Sequence, residues 1–121
     1  MRILVVDDIF SNRLLLTEIL QNLEVEYDEV ENGKEAIEAL QQQDYDIVLM
    51  DIEMPVMNGL ETTRYIRDNF PAPKNRIFIA ALTAHNPELF FEDFRDVGFD
   101  ELLAKPFSLE KISSLIAKVN D

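Results

Sequence analysis

"DIVLMDIEMPVMNGLE", residues 46–61, is the stretch that decides the fold. Ile47, Val48, Leu49 and Met50 are apolar at consecutive positions, which marks a strand covered on both faces. Asp51 stands at its tip, and Pro55, Asn58 and Gly59 follow with the chemistry of a tight turn. In an open parallel sheet, sites form outside the carboxyl ends of the strands, so a carboxylate in that place is a candidate functional group.

The same reading extends outward along the chain. "RILVV" (2–6) and "IFIAAL" (77–82) are continuous apolar runs, "VEYDEV" (25–30) alternates as an edge strand does, and "ELLA" (101–104) is a weaker fifth strand. Between them lie helical patterns. Leu15, Leu16, Ile19, Leu20 and Leu23 return to one face at three- and four-residue spacing. Ala36, Ile37 and Leu40 repeat this after Asn32, a cap candidate. Leu60, Thr63, Ile66 and Phe70 form a third helix, ended by "FPAP". Asn86 and Pro87 open a fourth that runs to Gly98. Ser108, with Lys111, Ile112, Leu115, Ile116 and Val119, marks a fifth. Strand and helix alternating five times predicts one α/β domain over 1–121, doubly wound, with helices on both faces of a parallel sheet.

Bulk properties limit what such a domain does. At 121 residues the chain can bury roughly two-thirds of the surface that its unfolded form exposes. Its 24 acidic residues against 11 basic ones give a net charge of −13, which opposes direct contact with nucleic acid or an anionic membrane. There is no cysteine, and so no disulfide and no thiolate metal site. "MRILVV" followed by Asp7 and Asp8 does not read as a signal peptide, and no run reaches the roughly 18 apolar residues of a membrane span. A cytoplasmic location is the expectation.

The predicted sheet gathers polar residues at one edge. Asp7 and Asp8 end the first strand, Asp51 the third and Thr83 the fourth, while Lys105 follows the fifth. Carboxylates crowded together are costly unless a cation joins them, and a set of oxygen ligands without His or Cys suits Mg²⁺. Lys105 and Thr83 complete a pocket for an anion. A carboxylate can attack phosphorus to form an acyl phosphate, and phosphoryl transfer depends mainly on positioning and charge neutralisation. Asp51, between the acid pair and the lysine, is the natural acceptor.

"ILVVDD", "VLMDIEMPVMNGLE", "ALTA" and "KPF" resemble, in order and spacing, the signatures of the receiver domain of two-component response regulators, over essentially the whole chain. The resemblance implies a flavodoxin-like sheet of order 2-1-3-4-5 with five helices. It also implies phosphorylation of Asp51, with Mg²⁺ held by Asp8, Asp51 and the backbone carbonyl of Glu53, Asp7 acting through water. Thr83 and Lys105 would hold phosphate oxygens, with space provided by Ala84, and the bond before Pro106 would be cis. Glu53 and His85 would tune the lifetime of the acyl phosphate. Asn12 and Arg13 look like those of receivers joined to hybrid kinases or working in phosphorelays. The implied donor is a histidine kinase or histidine phosphotransfer protein, docking on Leu14 or Leu15 of the first helix, although either leucine could instead belong to the core.

Signalling to an unidentified protein target would use the face made by the fourth helix, fifth strand and fifth helix. The chain would be a monomer or a phosphorylation-dependent dimer. Leu102 departs from the family pattern, since many members carry there an aromatic that swings inward as Thr83 moves. Phe90, Phe91 and Phe94 cannot all face the core, because adjacent helical residues diverge by about 100°. Phe90 either stands beside Leu102 as a partner patch or packs on the fifth helix. The chain is expected to be an independent protein, an N-terminal receiver or a piece of a longer regulator. A phosphorylation-independent pseudo-receiver is the main alternative. A Mg²⁺-dependent aspartyl-phosphate phosphohydrolase would want an acid two residues beyond a first-strand Asp, where Ile9 and Phe10 stand, and a flavin carrier would need a Ser/Thr/Gly loop in place of "DDIFSN".

Overall fold

All five residues of Ile47–Asp51 are buried, as the unbroken apolar run requires of a central strand. The computed structural model describes residues 1–52, 54, 57–84 and 97–120. In chain order the elements are β1 (Arg2–Val6), α1 (Phe10–Asn22), β2 (Glu26–Val30), α2 (Gly33–Gln42), β3 (Ile47–Asp51), α3 (Gly59–Asn69), a 3₁₀ turn (Lys74–Arg76), β4 (Phe78–Thr83), β5 (Glu101–Ala104) and α4 (Leu109–Asn120). The strands form one parallel sheet of order β2-β1-β3-β4-β5. Four α-helices are therefore described. The helix predicted from Asn86 to Gly98 falls almost wholly outside the described residues, and Phe90, Phe91 and Phe94 lie outside them too.

Side chains alternate across the sheet with period two, building two cores. Leu4, Val6, Val48, Met50, Ile79 and Ala81 face α2 and α3, where they meet Ala36, Leu40 and Ile66. Ile3, Val5, Ile47, Leu49, Ala80 and Leu82 face α1 and α4, meeting Leu16, Ile19, Leu20, Ile112 and Leu115. Each fully buried Leu or Ile contributes about 1.5–3 kcal/mol of transfer free energy, so both layers hold the strand tips in fixed register.

The helix starts correct the sequence reading in two places. α1 begins at Phe10, five residues ahead of Leu15, and Leu15 is 40% exposed while Leu16 is fully buried. Adjacent positions diverge by about 100°, and the core takes Leu16. α3 begins at Gly59 behind a capping box that was not predicted: Asn58 Oδ1 accepts the Glu61 N–H at 2.9 Å, and Glu61 Oε1 accepts the Asn58 N–H at 3.4 Å. The Asn32 cap of α2 is as predicted, with Oδ1 accepting the Glu35 N–H at 2.9 Å.

Gly59 is where α3 presses against the tip of β3. Its N–H donates to the Ile52 carbonyl at 3.0 Å, and a Cβ there would stand 2.4 Å from the Asp51 carbonyl oxygen and 2.9 Å from Ile52 Cα. Both obstacles are backbone and cannot swing aside. Gly59→Ala should therefore lower stability by about 1–3 kcal/mol, read as a drop in the urea midpoint. An unchanged midpoint would show that the close approach is not enforced.

Arg67 ties α3 to the segments that lead into β4 and β5. Its Nε and Nη2 donate to the Gly98 carbonyl at 3.0 and 2.7 Å, and Nη1 donates to the carbonyls of Asn75 and Ile77 at 2.9 and 2.8 Å. Nη2 also reaches Asp100 Oδ2 at 3.0 Å, the oxygen that accepts the Ile79 N–H at 2.8 Å.

Candidate functional site

The parallel register brings the chemically active strand ends to one edge. Ile3 pairs with Ile47 and Val6 with Met50, so Asp7 and Asp51 leave adjacent strands at the same level. Asp51 stands opposite Leu82, Thr83 opposite Ala104, and the Lys105 N–H donates to the Thr83 carbonyl at 2.8 Å. Asp7, Asp51 and Thr83 are buried, whereas Asp8 is exposed.

Asp7, Asp8 and Asp51 each offer a carboxylate oxygen within 4.8 Å of the others. Opposite them, Lys105 Nζ lies 3.5 Å from Asp51 Oδ1. At 4.8 Å the two buried carboxylates, Asp7 and Asp51, repel by about 3 kcal/mol at an effective dielectric of about 20. One ammonium does not balance three carboxylates. Asp7 Oδ1 is occupied by the Ile9 N–H at 2.9 Å, but Oδ2 is buried with no hydrogen-bond partner among the described residues. An orphaned buried oxygen in an all-carboxylate cluster is what a hard divalent cation satisfies, so the residues present fit Mg²⁺.

The other predicted positions fall into three groups. Ala84 is exposed just beyond β4, Leu102 is half-buried in β5 against the core shared with α2 and α3, and the Lys105–Pro106 peptide is cis, as is Ala72–Pro73. Leu14 and Leu15 are 46% and 40% exposed on α1, beside Ile9 at 49% and Phe10 at 65%. Glu53 and His85, like Pro55, lie outside the described residues. Sequence reasoning missed Ile9 and Phe10 as surface groups; their place directly after the acid pair, ahead of the helix's apolar repeat, was the available signal. It also missed the burial of Arg13 beside Asp7.

Known proteins resemble the chain along nearly its whole length. The sequence model of the response regulator receiver domain family matches residues 3–117. The chain is 35% identical over 118 residues to two-component response regulator 24 of Arabidopsis thaliana, covering 97% of this chain and 82% of that protein. It is 37% identical over 119 residues to the sensor protein GacS of Pseudomonas syringae pv. syringae, covering 97% of this chain but spanning only 13% of that protein. Among solved structures, the receiver domain of the sensor histidine kinase PA1611 from Pseudomonas aeruginosa PAO1, with a magnesium ion coordinated in its active site cleft, superposes with a TM-score of 0.88 at 30% identity, covering 99% of this chain and 98% of that one. The response regulator protein TrrA from Thermotoga maritima, in complex with Mg²⁺-BeF, superposes with a TM-score of 0.84 at 37% identity, covering 98% and 97%.

Proposed function

The chain belongs to the response regulator receiver domain family, and from that premise we propose that Asp51 accepts a phosphoryl group from a phosphohistidine of a histidine kinase or histidine phosphotransfer protein. The observation that carries this reading is the buried Asp51 carboxylate at the tip of the central strand, with Asp7 and Asp8 within 4.8 Å on one side and the Lys105 ammonium at 3.5 Å on the other. An Asp51 oxygen attacks phosphorus as the phosphorus–nitrogen bond breaks, leaving the electron pair on the imidazole. Lys105, which pairs with Asp51 beforehand, then faces a phosphoryl oxygen instead, and the Thr83 hydroxyl donates to another. Asp8, Asp51, the Glu53 carbonyl and, through water, Asp7 would hold a hard divalent ion such as Mg²⁺, which would supply positive charge against the phosphoryl oxygens. Exposed Ala84 leaves room beside Thr83, and Glu53 and His85 set how readily water reaches the acyl phosphate.

The chain acts on itself, as acceptor and then donor or hydrolysing phosphoprotein, rather than on a separate substrate. The exposed Leu14 and Leu15 side chains on α1 suit an apolar helix of the donor protein. Output runs through the face that includes β5 and α4, toward a protein target, with Leu102 in place of the aromatic that many members of the family carry; a complete reversal of a 1:99 equilibrium there takes about 5.5 kcal/mol of preference. With net charge −13 a nucleic acid is not the target. Among the described residues no helix is long and apolar enough to cross a membrane.

Incubation with a small-molecule phosphodonor and Mg²⁺, followed by intact mass measurement, tests this reading. One added phosphoryl unit per chain, absent when Mg²⁺ is chelated, is the expected result. Donor turnover without retained mass would indicate a phosphohydrolase, and no reaction at all a phosphorylation-independent module; either overturns the proposal.

A further inference from the structure

Arg13 is the buried basic side chain among the described residues, 7% exposed, and it stands against the back of the acid pair. Its Nη1 donates to the Asp7 carbonyl at 2.8 Å, Nε donates to Glu29 Oε1 at 3.1 Å, and Nη2 reaches Glu31 Oε1 at 3.5 Å. The Phe10 ring covers the guanidinium at 5.7 Å. The Asp7 carbonyl belongs to the peptide that joins Asp7 to Asp8. Asp7 is also held by its N–H, which donates to the Val30 carbonyl at 3.2 Å, and by Oδ1 on the Ile9 N–H. Through Arg13, α1 thus grips the peptide from which two of the three clustered carboxylates project, while β2 holds the preceding peptide at the Asp7 N–H and supplies Glu29 to the guanidinium.

We propose that Arg13 is a positioning residue for the cation site: it locks the Asp7–Asp8 peptide so that both carboxylates converge on Asp51, while Glu29 and Glu31 compensate its charge. The inference rests on reading Asp7, Asp8 and Asp51 as a cation site. Geometry and charge pull in opposite directions here, which makes the idea testable. A guanidinium near the cluster repels a divalent cation, so if Arg13 acted only through charge, removing it would tighten Mg²⁺ binding. If it acts by holding the peptide, removing it weakens binding, and loss of an outer-shell partner commonly costs 10–100-fold in metal affinity.

Mg²⁺ affinity measured by isothermal titration calorimetry, with Mn²⁺ paramagnetic resonance as a second probe, separates these cases. Arg13→Gln should bind Mg²⁺ about 10-fold more weakly, at the lower end of the outer-shell range because the contact is to backbone. Phosphoryl uptake should recover when Mg²⁺ is raised to saturation. Arg13→Lys keeps the charge but not the fork, and should show a smaller loss in the same direction; it carries the test if the Gln variant does not fold. Unchanged or tighter affinity overturns the proposal, including the case where only the unfolding midpoint drops. Failure of the unsubstituted protein to bind Mg²⁺ would instead sink the cation site itself, and a protein that binds Mg²⁺ but takes no phosphoryl group would sink the acceptor reading while leaving this one standing.

Discussion

Asp51→Asn accepts no phosphoryl group: with a small phosphodonor and saturating Mg²⁺, the added mass expected of the unsubstituted protein is missing. The substitution preserves shape at a position that is 2% exposed and paired in the ladder with Leu82, so the strand is not perturbed by a change of volume. What changes is chemistry. An amide oxygen is a poor nucleophile toward phosphorus, and the Lys105 ammonium loses the anion it faces at 3.5 Å. The clustered acids fall from three to two, which also weakens attraction for a divalent cation. The combined loss should exceed about a thousandfold in uptake rate, equivalent to about 4 kcal/mol of barrier. Uptake at the unsubstituted rate would place the acceptor elsewhere and remove the central assignment.

The largest effect on stability is expected at Arg67. Truncation to alanine removes five hydrogen bonds from one guanidinium and strands the carbonyls of Gly98, Asn75 and Ile77 in partly buried positions. Each unsatisfied group costs about 1–3 kcal/mol where water is excluded. The Arg67 side chain is 19% exposed and that of Asp100 40%, so water restores part of the loss and the salt bridge itself adds little. A net destabilisation of about 2–4 kcal/mol follows, read from the urea midpoint at constant slope. Arg67→Lys should recover less than half of it, since an ammonium cannot reproduce the planar fork across Gly98 and Ile77. Gly98 itself has φ +113°, and a Cβ there would meet Arg67 Cγ at 3.0 Å, so the glycine and the arginine form a matched pair. A loss under about 1 kcal/mol would show that the loops into β4 and β5 are held by the ladder alone.

The strand positions were legible because burial on both faces leaves an unbroken apolar run, as in Val48–Met50; the edge strand Glu26–Val30 is nowhere fully buried, and its expected alternation breaks at Asp28 and Glu29. Helix faces were less legible: Leu15 and Leu16 are chemically identical, and only the sheet decides which one turns inward. The capping box at Asn58 and Glu61 was readable in principle, but both residues are polar, and a search for apolar spacing that begins at Leu60 passes over them.

Residue type and strand order determined that acids, a threonine and a lysine would share one edge, since every strand of a parallel sheet ends on the same side. Only the tertiary structure decided that Asp7, Asp8 and Asp51 converge within 4.8 Å, that Lys105 reaches Asp51, and that Arg13 and Arg67 turn inward. Arg67 binds mainly through main-chain carbonyls, at Gly98, Asn75 and Ile77, and the contact by which Arg13 reaches the acid pair is likewise a carbonyl, that of Asp7. Every residue carries a carbonyl, so such a partner leaves no mark in the amino-acid sequence, and it becomes visible only when the chain has folded around it.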